Sequence, residues 1–333
     1  MEAVEATAIR PGIGSETIDR FRRDLDSLVD PDVPVGIAVS GGPDSLALLL
    51  LLAANARPGK VEAATVDHAL RLESRAEAEM VAEICERLGV PHQILTARWD
   101  EKPATAIQER ARAMRYRLLG QWAAKRGLKA LLTAHHLDDQ AETLLMRFAR
   151  GAGIRGLAGM RSVARTPGGN IMLLRPLLGW RRFELEAICE VSGLKPADDP
   201  SNADEQFERV RVRKALREIE WLDPEAIAAS AAHLGQAETA LQWATAQEWD
   251  RSVTDGESVI VYRPSDAPRE IRRRIVRRAV LALATEGQGT DLRGRELNQV
   301  LAALLGGRSA TLRGVLCLGG SEWRFTPAPP RRR

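Results

Sequence analysis

Between about residues 33 and 150 the chain alternates short apolar runs with longer stretches of helical spacing, and this alternation constrains the fold most. Val33–Val39, Val61–Val66, "PHQILTA" and "LKALLTA" read as four strands. Residues 43–54, "SRAEAEMVAEICERLG", 104–126 and 138–150 read as the helices between and after them. Nearly continuous apolar strands separated by helices cannot be half-exposed. They predict an α/β fold, an open, mostly parallel sheet with helices on both faces. In such sheets ligands bind beyond the carboxyl ends of the strands. Three polar clusters follow strands here: Ser40–Ser45, Asp67–Arg71 and His135–Asp139. Topology alone therefore brings them to one rim.

After Gly151 the pattern changes to glycine-rich loops, then a helix near 181–193 and the turn-rich "KPADDPSNADEQ". From about 224 the chain is helical and alanine-rich, continues through an arginine-rich helix at 269–284, and ends in the β-rich "SATLRGVLCLGGSEWRFTP". The expected division is an N-terminal extension or helix at 1–30, a catalytic α/β domain at 31–220, and a helical region with a small C-terminal α/β or α+β part at 221–333. Trp221, Trp243 and Trp249 show no stacking motif and are expected in the core. Three cysteines far apart, with no CxxC, fit a reducing compartment and exclude a disulfide framework. The longest apolar run, Leu46 to Ala54, is nine residues, against roughly 18 or more for a membrane span. A cytoplasmic protein without a membrane partner is expected; the oligomeric state stays open.

In "VGIAVSGGPDSLALLLLLA" an apolar run ends at Ser40, and Gly41, Gly42 and Pro43 precede Asp44, Ser45 and a second apolar run. Glycines after a strand let backbone amides approach an anion, and a helix N-terminus favours negative charge. A plain strand–turn–helix junction with Ser or Asp as its cap explains the same residues. The Walker pattern is absent and no lysine follows. A phosphate ligand here would therefore call for a divalent cation, with Asp44 its local ligand.

"SGGPDS" resembles the pyrophosphatase loop of the N-type ATP-pyrophosphatase, or PP-loop, superfamily. With "VDHALR" (66–71), "ERARAMRY" (109–116), "TAHHLDDQAETLLMRFARGAGIRGLAGM" (133–160), "RPLL" (175–178) and "DDPSN" (198–202), the chain resembles the tRNA(Ile)-lysidine synthetase family. The resemblance is dense from about 35 to 215. It implies that ATP activates carbon 2 of the wobble cytidine of tRNA(Ile) with a CAU anticodon, and that free L-lysine then displaces AMP. It also implies ATP binding by Ser40, Gly41, Gly42, Pro43, Asp44, Ser45, Asp67 and His68, with Mg2+ on Asp44. Lysine binding falls to His135, Asp139 and Glu142, and Arg112 is the first choice to stabilise charge during adenylation.

Each of these has a plainer explanation. Asp67 and His68 could cap the strand and pair with Arg71. Asp139 and Glu142 are spaced as a capping box, and acids suit a first turn. That does not account for His135, and clustered acids also suit a substrate carrying two ammonium groups. Arg112 and Arg115 share a helix face. The basic run 209–217 has Arg209 and Arg213, with Val210 where the family has asparagine. On the arginine-rich helix, residues 273, 274, 277 and 278 can share one side. Arg115, Arg209, Arg213, Arg273 and Arg274 are expected to meet tRNA phosphates. A tRNA thiolase of the same superfamily is the nearest rival; it needs a catalytic cysteine pair or an iron–sulfur site.

Overall fold

The computed structural model describes residues 12–55, 59–70, 73–100, 105–167, 169, 171–197, 204–284, 292 and 294–329. Arg71 and the "DDPSN" stretch lie outside them. The chain divides into two units, Met1–Gly235 and Gln236–Arg333, with the division inside a helix rather than at residue 220.

Unit 1 begins with α1 (Ser15–Asp26), β1 (Val35–Ala38), α2 (Pro43–Ala54), β2 (Val61–Asp67), α3 (Glu73–Arg87) and β3 (His92–Thr96). It continues with α4 (Ile107–Arg126), β4 (Ala130–Leu132), α5 (Leu137–Ala149) and the short α6 (Ile154–Leu157). Then come β5 (Val163–Arg165), β6 (Met172–Leu174), α7 (Arg182–Val191), α8 (Glu208–Glu218) and the start of α9 (Pro224–Ser252). The strand order is β3-β2-β1-β4-β6-β5. All pairs are parallel except β5 with β6, so the expected α/β architecture is the observed one. The three-residue strands β5 and β6 are too short to show a period, and the glycine- and proline-rich loops around them hid them from the sequence reading.

The strand periodicity separates two cores. Val35 and Ile37 of β1, with Ala130 and Leu132 of β4, pack with α1, α2, α3 and α7. Leu131 and Leu173 pack with Tyr116, Leu119 and Trp122 of α4 on the opposite face. Helix α2 is apolar all round because it is buried all round: Leu46 to Leu52 are at most 1% exposed. Gly36 is required where β1 passes α4, since a Cβ there would meet the Trp122 ring at 2.7 Å. Helix α1 places Phe21 and Leu25 in the first core, so this N-terminal helix is part of the α/β unit.

Unit 2 adds β7 (Val253–Asp255), β8 (Ile260–Tyr262), α10 (Arg269–Leu283), α11 (Gly294–Leu305), β9 (Ser309–Leu312), β10 (Val315–Leu318) and β11 (Trp323–Pro327). Its antiparallel sheet runs β7-β8-β11-β10-β9. The two strands before α10 fall between the expected helices and were not anticipated; each is three residues long and gains its identity only by pairing. Ile271, Ile275, Val276, Ala279 and Val280 form the apolar stripe of α10, and Tyr262 meets Trp323 edge-on at 5.4 Å. Trp249 is buried as expected, whereas Trp221 and Trp243 are 81% and 67% exposed. Among the described residues, no helix is long and apolar enough to cross a membrane.

Candidate active site

Strand β1 is the point where the strand order reverses, with β2 on one side and β4 on the other. A cleft of about 710 Å³ opens there, beyond the carboxyl ends of β1, β2 and β4. Its walls include Ser40, Gly42, Pro43, Asp44 and Ser45 after β1, His68 after β2, and His135 and Asp139 after β4. Glu77 of α3, Arg112 and Arg115 of α4, Arg182 of α7 and Arg209 of α8 complete its charged lining.

The loop after β1 is fixed by its own side chains. Ser45 Oγ accepts from the Ser40 amide at 3.0 Å and donates to Gly42 O at 3.0 Å. Gly41 has φ +87°, a conformation L side chains rarely adopt, and a Cβ there would also press on Met80 at 3.3 Å. Pro43 has no amide hydrogen, and Leu46 is the first residue of α2 to bond back, to Gly42 O. The Asp44 and Ser45 amides therefore open from the helix start. Asp44 Oδ1 is buried without a hydrogen-bond partner, while Oδ2 faces His136 Nε2 at 3.5 Å.

The register after β4 settles which histidine faces the cleft. His135 lines it, with Nδ1 on Thr133 Oγ1 at 2.9 Å. Burial, helped by Arg175, Arg115 and Arg112 and opposed by Asp139, pushes the His135 imidazole down to about 4. His136 is 0% exposed, with Asp44 at 3.5 Å, Asp138 at 3.6 Å and Asp139 at 3.7 Å. Burial disfavours its charge, but Asp138 and Asp44 prevail, aided by Asp139, and push it up to about 9. At neutral pH the two adjacent rings thus differ: one neutral and accessible, one cationic and sealed. Burial opposes the Asp139 carboxylate too, yet His136, Arg209 and His135 hold it below the usual range. Asp139 Oδ2 also accepts the His136 amide at 3.2 Å, so the capping box pairs residues 136 and 139 rather than 139 and 142.

Several expected site residues stand elsewhere. Asp67 is buried below the cleft, its Oδ1 accepting from the Ala69 amide at 2.9 Å and Ser74 Oγ at 2.7 Å. Those bonds hold Ala69 at φ +52°, and only the neighbouring His68 reaches the cleft wall. Glu142 is 1% exposed and is ringed by Arg213 at 2.8 Å, Arg209 at 3.0 Å and Arg182 at 3.2 Å. Its carboxylate is committed to guanidiniums rather than open to a substrate ammonium. Arg115, expected at a tRNA phosphate, lies beside Arg112 in the cleft, each 5.1 Å from the Tyr116 ring. In unit 2, Arg273 pairs with Glu270 at 2.7 Å, Arg274 with Glu238 at 2.7 Å and Glu270 at 2.9 Å, and Arg278 lies 4.0 Å over Trp249. The stripe predicted on α10 is largely bonded within its own unit.

Sequence reasoning missed Arg182 and left open whether His135 or His136 faces the cleft. Arg182 had no motif of its own, and its neighbourhood arises only where α7 packs beside α5. Both histidines were in view, but which of them is buried depends on one residue of register. Cys85, Cys189 and Cys317 are buried and free, each pushed up to about 12, chiefly by burial.

The PP-loop domain family matches residues 17–219. A tRNA(Ile)-lysidine synthase of Novosphingobium aromaticivorans is 48% identical over 96% of this chain and 98% of its own length. One from Zymomonas mobilis subsp. mobilis is 44% identical over 90% of each chain. Among solved structures, a U34-tRNA thiolase from Methanococcus maripaludis with its 4Fe-4S cluster superimposes with a TM-score of 0.56 at 18% identity, covering 66% of this chain and 79% of that one. That likeness concerns the fold alone. With 48% identity running nearly end to end, this chain belongs to the tRNA(Ile)-lysidine synthase family of PP-loop enzymes.

Proposed function

We propose that the protein ligates free lysine to carbon 2 of the wobble cytidine of tRNA(Ile) with a CAU anticodon, consuming ATP and releasing AMP and pyrophosphate. The observation that carries this is one cleft at the β1/β4 switch point holding an open glycine loop, Asp44, a neutral His135 and Asp139 together.

In the first half-reaction the cytidine oxygen at carbon 2 attacks the α-phosphorus of ATP, and pyrophosphate leaves. The Asp44 and Ser45 amides at the start of α2 bind the phosphates, and Arg112 stabilises the charge that develops. Magnesium fits beside this loop. Asp44 offers a carboxylate oxygen without a partner, and among the described residues no cluster of three or more His, Cys, Asp or Glu side chains forms a closed cage. One carboxylate plus substrate phosphates is how Mg2+ is usually held. When bound it neutralises phosphate charge.

In the second half-reaction the lysine amine attacks carbon 2, the carbon–oxygen bond breaks, and AMP departs. Asp139 attracts the lysine ammonium. His135, neutral at pH 7, accepts the proton that the attacking amine loses. Holding both reactants in one cleft contributes about 7–11 kcal/mol through effective molarity. Glu142 supports the site through Arg182, Arg209 and Arg213, and Arg209 at the cleft wall suits a tRNA phosphate. The thiolase alternative lacks support from the cysteines, whose buried thiols stay protonated at neutral pH.

The test is incubation with ATP, Mg2+, radiolabelled lysine and tRNA(Ile) bearing the CAU anticodon. Label entering the tRNA with equimolar AMP supports the reading. ATP cleavage without label transfer sinks it.

A further inference from the structure

A free amino acid presents a zwitterionic head, so a pocket for it needs a cation beside its carboxylate. Asp139 supplies the negative partner. Four arginines line the same cleft: Arg112, Arg115, Arg182 and Arg209. The first two stand over Tyr116 on α4, where Arg115 also acts on His68. Arg209 spends its Nε on Glu142 at 3.0 Å and Nη2 on Thr143 at 3.2 Å.

Arg182 is anchored yet incompletely used, and at 16% exposed it is better sheltered from solvent than Arg209 at 44%. Its backbone amide donates to Asp138 Oδ2 at 2.8 Å, which ties the start of α7 to the start of α5. Nη2 alone reaches Glu142 Oε1, at 3.2 Å, and lies 3.4 Å from His136 Nε2. Nε and Nη1 make no hydrogen bond or ion pair with the described residues, and neither is a sealed, orphaned atom. The side chain is 16% exposed and lines the cleft. A guanidinium anchored through Nη2, with Nε and Nη1 uncommitted on a side chain that lines the cleft, keeps charged donors for a carboxylate.

We infer that Arg182 binds the α-carboxylate of the lysine substrate while Asp139 takes the adjacent ammonium, so that Arg182 selects a free amino acid over other amines. The head is thereby fixed, and the distant side-chain amine is the one left to approach His135 and the activated base. This assignment rests on the synthase reading above.

The test compares lysine with lysinamide, whose head has no carboxylate, as substrates of the full-length protein with ATP, Mg2+ and the CAU tRNA. The wild-type protein prefers lysine on the order of 10²-fold in kcat/KM. In Arg182→Gln the preference falls to about threefold or less, mainly through a raised lysine KM, while lysine-independent pyrophosphate release keeps its ATP KM. Arg182→Lys restores part of the preference. Arg213→Gln, which also removes a guanidinium from Glu142 but not from the cleft wall, lowers activity without moving the ratio. An unchanged lysine-to-lysinamide ratio in Arg182→Gln, or a loss confined to pyrophosphate release, overturns the assignment. No transfer of lysine by the wild-type protein overturns the synthase reading itself, and this assignment with it.

Discussion

Both units bury charge, but they use it differently. In unit 2, Glu248 is 3% exposed and accepts from Tyr262 at 2.8 Å, Ser265 at 2.7 Å and Arg251 at 2.6 Å. Glu238, 2% exposed, receives both Arg274 Nη atoms, at 3.0 and 2.7 Å. These carboxylates are saturated. In unit 1, Asp44 Oδ1 and His68 Nδ1 are buried without hydrogen-bond partners in or beside the cleft. An unsatisfied buried polar group costs roughly 1–3 kcal/mol, so such groups persist where function requires them. Unit 2 has unpartnered buried atoms of its own, Arg272 Nε and Glu296 Oε2, so neither buried nor unfinished charge marks a site by count. What marks it is that such atoms gather at one cleft beside the open glycine loop.

Breaking the unfinished set should destroy activity while leaving the fold. Asp44→Ala should lower tRNA-dependent pyrophosphate release by about 10³-fold or more, well beyond what the loss of one carboxylate neighbour of His136 takes from Tm, as read by a release assay run below the melting transition and by thermal melts. Near-normal release would remove Asp44 from the phosphate site. Asp139→Ala should act later, reducing lysine transfer on the order of 10²-fold with a raised lysine KM and an intact adenylation step. Wild-type rates at limiting lysine would dissolve the proposed pocket.

The saturated set should respond in stability instead. Arg274→Ala leaves Glu238 buried beside a lost partner and should cost about 3 kcal/mol, measured by urea unfolding. The tRNA KM should change less than twofold. A rise in tRNA KM that steepens with falling salt would return α10 to the tRNA surface and blur the contrast between the units.

The smallest effect is in pH. Because burial holds His135 at about 4, its imidazole is neutral above that value and protonates only as pH falls through it. Single-turnover lysine transfer should therefore show no ionisation near the ordinary histidine value of about 6.5. An acid limb there that disappears in His135→Asn would mean that the ring is more solvated than its placement indicates.

The strand alternation, the glycine loop at Ser40–Ser45 and the His135–Asp139 cluster were legible because they depend on local pattern: buried parallel strands are apolar runs, and the rim follows from their direction. Helix α2 was read to its observed bounds, Pro43–Ala54, since a proline at N1 and a continuous apolar run leave little ambiguity. Strands β7 and β8 were not legible, because three residues carry no period and their order comes from pairing partners distant in sequence, with Trp323 lying opposite Tyr262.

Side-chain allegiance was equally hidden. Arg209, Arg213, Arg273 and Arg274 look alike in sequence as basic residues on helices, and nothing local reveals which has a carboxylate waiting on another element. By itself the sequence determined the α/β architecture, the rim where chemistry gathers and the family. The tertiary structure alone decided that His135 is open and His136 sealed, that Glu142 is enclosed by arginines, and that Arg182 stands at the cleft. The physical reason is that backbone periodicity is written residue by residue, whereas burial and charge pairing depend on distances between segments that meet only in the folded chain.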